Sequence, residues 1–222
     1  MMKKKKLTIR IITTFPELIK GYASDSMLAR AESAGILDIQ FVDLRKFGEG
    51  ERKKIDERPF GGGPGMVLQF EPIWKALKSI KAKPKTKGEK VVVLSPRGKK
   101  FTGEMAEKMS SLKKITLICG RYEGIDERVM QNLADEEISI GDYVLSGGEL
   151  PAMIITEAVA RFLPGFLGKQ ESLESIKGSY PAYTRPEKIT NFKKGKVLKV
   201  PEVLLSGDHK KIAEWRRKNS SS

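Results

Sequence analysis

A strand that breaks on glycine and re-enters as a proline-started helix constrains this chain more than any other feature. Glu137 to Pro164 reads Glu-Ile-Ser-Ile-Gly-Asp-Tyr-Val-Leu-Ser-Gly-Gly-Glu-Leu-Pro, then Ala-Met-Ile-Ile-Thr-Glu-Ala-Val-Ala-Arg-Phe-Leu-Pro. Ile138 and Ile140 predict a short strand, which Gly141 ends, and Gly147-Gly148 makes a second break. Pro151 suits the first turn of a helix, and Leu150, Ile154, Ala158 and Phe162 recur at every fourth position. A helix is therefore predicted from about Leu150 to just before Pro164-Gly165. Glycines in the intervening loop leave backbone groups open to a ligand, because no Cβ stands in the way. Loops of this kind, at a strand end feeding a helix, are where α/β folds bind small molecules. Taken alone, the stretch reads equally as an ordinary strand–helix connection.

The pattern occurs twice more upstream. Val91 to Leu94 is a short apolar strand that stops at Ser95-Pro96-Arg97-Gly98, and Thr102 caps a helix to about Leu112. Ile115 to Cys119 is a second strand, followed by Gly120-Arg121-Tyr122-Glu123-Gly124 and a helix over Ile125–Leu133. Alternating strands and helices predict a parallel α/β sheet, so all three loops would meet on one sheet edge. Nearer the start, Leu7 to Ile12 predicts a first strand, Phe15-Pro16-Glu17 opens a helix, and Asp25 to Ala34 forms another, closed by Gly35. Ile36 to Leu44 reads as a strand, 45–58 as a charged loop, 59–66 as a glycine run, Pro72 to Ile80 as a helix and 81–90 as a lysine-rich loop.

Lys and Arg total 42 against 28 acids, a formal charge of +14. That excess points to an anionic partner such as nucleic acid, or to a proteome that is basic throughout. The single cysteine, Cys119, excludes an internal disulfide and a cysteine-only metal site, and its apolar strand predicts a buried thiol in a reducing cytoplasm. Lys3 to Lys6 followed by apolar residues is not a signal peptide, because Arg10 interrupts the run and no small-residue cleavage site follows. No window approaches the ~20 apolar residues of a membrane span.

Composition shifts after Pro164. Residues 165–178 read as a polar linker, and Pro186–Asn191 and Asp208–Lys218 as helices, with Trp215 in their small core. From Tyr183 to Ser222 there are eleven Lys or Arg against four acids, half the net charge of the chain. A basic surface of this kind fits a phosphate backbone.

Several chemistries are missing. There is no Gly-x-Gly-x-x-Gly after a strand, Gly61 to Met66 lacks the Gly-Lys-Ser/Thr of a phosphate loop, and no His-Glu-x-x-His occurs. The sole histidine, His209, lies among lysines and reads as solvated. Acid–base work is left to carboxylates and arginines.

The motifs Pro59–Met66, Leu94-Ser95-Pro96, Cys119–Arg128, Ile140–Pro151 and Tyr183-Thr184-Arg185-Pro186 occur in this order, followed by Val203–His209 and Trp215-Arg216. Together they resemble the bacterial tRNA (guanine-N1)-methyltransferases, enzymes of the SPOUT class that modify the guanosine 3′ of the anticodon, position 37. The resemblance implies an α/β fold: a parallel-sheet SPOUT domain with a trefoil knot over residues 1–164, an interdomain loop over 165–178, and a small helical, basic, tRNA-binding domain over 179–222. It also implies an obligate homodimer, with tRNA bound across both subunits. S-adenosylmethionine would lie among Leu94, Ser95 and Pro96, then Gly120, Tyr122, Glu123 and Gly124, then Ile140, Gly141, Asp142, Tyr143, Val144 and Leu145 with Gly147 and Gly148.

Guanine N1 carries a proton at neutral pH, so a base must remove it as N1 attacks the methyl group. A cation at O6 stabilises the charge that builds there. By resemblance the cation is Arg161 and the base Glu171, where the family has aspartate; Glu174 takes that place if the loop aligns with a gap. Ser179 stands where the family often carries a second acid, so a magnesium requirement is left open. Arg185, Lys188, Lys193 and Lys194 would grip the anticodon stem. Two other readings fit the same motifs: a SPOUT-type methyltransferase acting on a base or ribose of ribosomal RNA, and a non-catalytic RNA-binding protein.

Overall fold

Period-two alternation sorts the apolar side chains of each strand onto two faces of a single sheet. The computed structural model describes residues 6–168, 178–193 and 195–220. Its first half runs β1 (Leu7–Thr13), α1 (Glu17–Ala23), α2 (Ser26–Ser33), β2 (Leu37–Asp43), a 3₁₀ turn (Leu44–Phe47), the short β3 (Asp56–Glu57) and β4 (Val67–Leu68), and α3 (Phe70–Ser79). There follow β5 (Glu89–Lys100), α4 (Gly103–Ser110), β6 (Lys114–Cys119), α5 (Glu127–Leu133), β7 (Glu136–Ser139) and α6 (Glu149–Ala160). Five of the strands pair in the order β2-β1-β6-β5-β7, and every ladder among them is parallel. The α/β class and parallel sheet expected from the sequence are what the chain forms.

On one face, Ile9 and Ile11 of β1, Val92 and Leu94 of β5 and Leu117 of β6 pack under α1, α2, α4 and α6. On the other, Ile12, Val91, Val93 and Ile118 meet Ile73, Ala76 and Leu77 of α3 and Val129 of α5. Burial on both faces is why β5 and β6 read as unbroken apolar runs rather than alternating ones. Local signals set the helix ends: the Asp25 carboxylate accepts from Ser26 N–H, and Thr102 Oγ1 from Met105 N–H at 3.3 Å. Gly35 closes α2 at φ +67°.

Two expectations are corrected. The strand read as ending at Leu94 instead resumes: Leu94 and Lys99 both pair with Ile138, so residues 95–98 loop out and β5 continues to Lys100. Gly98 makes this possible, since a Cβ there would lie 2.4 Å from Ile138 N. Near the C-terminus, Pro186–Asn191 is not helical. Lys188–Lys193 is strand β8, paired antiparallel with β9 (Lys196–Lys199). Ile189, Thr190, Phe192 and Val197 are strand formers, and Gly195 takes the turn at φ +74°.

Chain contacts divide the molecule into Met1–Leu167 and Gly168–Ser222. Within the second unit, β8 and β9 precede α7 (Glu202–Leu205) and α8 (His209–Lys218). Asp208 caps α8 by accepting from Lys210 and Lys211 N–H, both at 3.1 Å. Trp215 is half-buried and meets Tyr183 edge-on at 6.2 Å, while the Arg216 guanidinium sits 4.9 Å from the Tyr180 ring centroid. No described residue of this unit is buried, so its small core rests on these ring contacts. Among the described residues no helix is long and apolar enough to cross a membrane.

Candidate active site

Two of the loops open from the carboxyl ends of β6 and β7 and the third bulges out of β5 after Leu94, and parallel pairing puts all three on one edge. Between them lies a cavity of about 530 Å³. Thirteen of the residues expected to meet a ligand line it: Leu94, Ser95 and Pro96; Gly120, Tyr122, Glu123 and Gly124; Ile140, Tyr143, Val144, Leu145, Gly147 and Gly148. Two do not. Gly141 is covered by the ring of Tyr143, whose Cε1 would be 2.4 Å from a Cβ, and Asp142 points out to pair with Lys100 at 2.5 Å.

Glycine is required here by close approach. Gly148 donates its N–H to Gly120 O at 2.9 Å, and a Cβ on it would lie 2.7 Å from Cys119 Cα. The third loop is thereby seated on the end of β6. The glycine run after Pro59 closes on the same region: Glu123 N–H donates to Met66 O at 3.0 Å, and Gly65 leaves room for the Glu123 side chain.

Of the charged part of the lining, sequence reasoning named only Glu123 and missed Asp126, Glu127, Glu137, Arg97 and Arg121. Glu123, Asp126, Glu127 and Glu137 bring four carboxylates to the cavity against two cations, Arg97 and Arg121. Arg97 bridges two elements, 2.9 Å from Glu127 and 3.4 Å from Glu137, and these partners, Glu127 foremost, hold its guanidinium firmly charged. Asp126 receives a two-pronged contact from Arg128, at 2.8 and 2.6 Å, which holds its carboxyl below the usual range. An acidic cavity in a chain of +14 is a local inversion of the overall charge. The Gly-Arg-Tyr-Glu-Gly-Ile-Asp-Glu-Arg run supplies most of these six side chains, so its charge density was the one available signal. Glu137 and Arg97 carried no signal, since their pairing spans separate strands.

Cys119 is 1% exposed, and burial pushes its thiol well above the ordinary value, with a smaller push from Glu149. The expected inert, buried thiol is what the structure has. His209 is exposed, as expected.

Arg161 follows the last turn of α6 and lines no part of the cavity. A twelve-residue helix separates it from Gly148, roughly 18 Å at 1.5 Å per residue. Its spacing from Glu157 allows an ion pair, but Glu157 instead accepts from the Tyr22 hydroxyl. Glu171 and Glu174 lie outside the described residues, as does Lys194. Arg185, Lys188 and Lys193 are exposed on the second unit. Among the described residues no group of three or more His, Cys, Asp or Glu side chains is arranged to hold a metal ion.

The family described as tRNA (Guanine-1)-methyltransferase TrmD matches residues 7–222. A tRNA (guanine-N(1)-)-methyltransferase of Clostridioides difficile (strain 630) is 45% identical over 219 residues, covering 96% of this chain and 92% of the relative. Proteins of the same description from Alkaliphilus oremlandii (strain OhILAs) and Carboxydothermus hydrogenoformans are 46% and 47% identical, each over 96% of this chain and over 87% and 83% of the relative. With a match along nearly its whole length, the chain belongs to the tRNA (guanine-1)-methyltransferase family.

Proposed function

We propose that the protein is an enzyme that transfers a methyl group from S-adenosylmethionine to N1 of guanosine 37 in tRNA, and that the donor binds in the three-loop cavity. The observation that carries this reading is the acidic, glycine-walled cavity in an otherwise basic chain. The donor brings a sulfonium, an ammonium and one carboxylate, a net positive charge that an acidic lining favours, and an adenosine, which exposed backbone groups can read. A volume of about 530 Å³ suits a ligand of that size. The knotted arrangement that the resemblance implies is part of the proposal.

When bound, the donor supplies an electrophilic methyl group. The chain's own task is to strip the N1 proton and stabilise O6. Glu171, or Glu174, is proposed as the base, and Arg161 as the cation at O6. Arg161 lies at the far end of α6 from Pro151, which lines the cavity, and in this reading the cation at O6 is supplied by a second subunit. Leu18 and Tyr22 of α1, with Leu150 and Ile154 of α6, are 46–65% exposed and form the apolar face that a second copy would cover. The homodimer is thus part of the proposal, as are a cytoplasmic location and an RNA grip by Arg185, Lys188, Lys193 and Lys194. Magnesium enters only as an assay variable.

The test is transfer of labelled methyl to unmodified tRNA transcripts carrying guanosine or adenosine at position 37, followed by mass spectrometry of nuclease digests. Methyl on N1 of that guanosine, and none on the adenosine transcript, is expected. Transfer to ribosomal RNA, or no transfer at all, would overturn the reading.

A further inference from the structure

Thr13, at the end of β1, lines no part of the cavity, yet its hydroxyl is engaged twice. It donates to Glu149 Oε1 at 2.6 Å and accepts from Phe15 N–H at 3.0 Å. Glu149 is 4% exposed, and its other oxygen, Oε2, lies 3.0 Å from Arg121 Nε. That approach is off the line of a hydrogen bond, so it acts as charge against charge. The Arg121 guanidinium in turn stacks 4.6 Å from the centre of the Phe15 ring and donates through Nη1 to Ser146 O at 3.2 Å. Thr13, Glu149, Arg121 and Phe15 therefore close a ring of contacts, joining the end of β1 to the loop after β6 and the first turn of α6.

Two walls of the cavity are built on that ring. Arg121 bridges Gly147 in an antiparallel backbone pair, and Gly147 sits where it does because the ring fills its side-chain space. A Cβ there would be 2.3 Å from Arg121 Nε and 2.5 Å from Glu149 Oε2. On the other side, Tyr122 directly follows Arg121 and is held at φ +59°, a region L side chains rarely adopt. A buried ion pair is weak evidence for stability, since apolar replacements often do as well. Fixing a geometry is its better-attested use.

We propose that Thr13 and Glu149 are positioning residues: they hold Arg121, and through it Tyr122 and Gly147, in the arrangement that receives the cofactor. The inference rests on the cofactor reading above. Calorimetric titration of the full chain with S-adenosylmethionine tests it, alongside thermal unfolding without cofactor and kcat at saturating cofactor. Wild type is measured first: no binding there sinks the cofactor reading itself. Given binding, Thr13→Val should raise Kd about 10-fold, and Thr13→Ser, which keeps the hydroxyl, should restore it to within about 2-fold. At saturating cofactor, kcat of Thr13→Val should recover to within about 3-fold, the sign of lost binding rather than lost chemistry. Combining Thr13→Val with Glu149→Gln should weaken binding no further than Glu149→Gln alone, because both act through one ring. If Glu149→Gln does not fold, Arg121→Lys replaces it in the cycle, its side chain being 20% exposed in the native protein. Wild-type cofactor affinity in Thr13→Val, even with a lowered melting temperature, would overturn the proposal, as would additive effects on Kd in the double variant.

Discussion

Replacing Gly148 with alanine tests whether the third loop must lie directly on the end of β6. The backbone at Gly148 is ordinary, φ −82° and ψ 0°, so alanine brings no conformational strain of its own. Its difficulty is space: the added Cβ would sit 2.7 Å from Cys119 Cα and 3.0 Å from both Cys119 Cβ and Gly120 N. These are main-chain atoms and a Cβ fixed to them, on a strand buried on both faces, and they cannot swing aside. Relief requires the loop to lift. Lifting costs about 1–3 kcal/mol as overpacking, and loosens the 2.9 Å bond from Gly148 N–H to Gly120 O, worth about 1 kcal/mol. For a domain of this size each kcal/mol lowers the melting temperature by about 2–4 °C, so a fall of roughly 4–16 °C is expected. Cofactor affinity should fall at least about 5-fold, since the lifted segment carries a cavity wall. Differential scanning calorimetry and isothermal titration read the two effects. Gly103→Ala, at a helix start with nothing within 4 Å, is the control: it should lower neither, and the melting temperature should hold or rise slightly. Wild-type stability and affinity in Gly148→Ala would refute the close-approach argument.

Other outcomes follow from the same geometry. Cys119 should resist alkylation in the native protein across mildly alkaline pH and react only on unfolding, because burial disfavours the thiolate; rapid native labelling would contradict its burial. Asp126 has its folded pKa depressed, chiefly by the Arg128 hydrogen bond, so its contribution to stability is present above the unfolded carboxylate range and is lost as pH falls through the lower folded value. Asp126 also caps α5 by accepting from Arg128 N–H, a bond asparagine can keep, so Asp126→Asn should flatten the acid limb of the stability curve below about pH 4, and an unchanged limb would argue against that pairing. Glu171→Gln should abolish methyl transfer with cofactor affinity intact, and retained turnover would remove it as the base. Reversing Lys188 and Lys193 to glutamate should weaken tRNA binding and lower its salt slope by about 0.9 for each phosphate no longer neutralised; an equal slope would free these strands from the RNA.

What could be read from the sequence was whatever local punctuation encodes. Pro96, Gly120 and Gly141 each stop an apolar run, and the parallel alternation then forces those stops onto one edge. The resumption of β5 at Lys99 was hidden because Ser95-Pro96-Arg97-Gly98 looks like a terminus; only the backbone of β7 beside Gly98 shows the strand picking up again. Pro186 suggested a helix start, yet Ile189, Thr190 and Phe192 belong to a strand paired with that of Val197, and pairing is not a local property. The same limit hid the carboxylate lining. Glu137 on β7, Glu127 on α5 and Arg97 in the loop of β5 become one cluster only after three elements pack, and no spacing rule links them. Thr13 is the clearest case: 136 residues separate it from Glu149.

The proposed chemistry stands or falls on what occupies the space between the three strand ends, and a crystal structure of the protein grown with S-adenosylmethionine examines that directly. The adenosine should lie against Leu94, Gly120 and Ile140, with the sulfonium on the acidic side of the cavity near Glu123. Clear density for the ligand at any other place, with that cavity filled only by solvent, would contradict it.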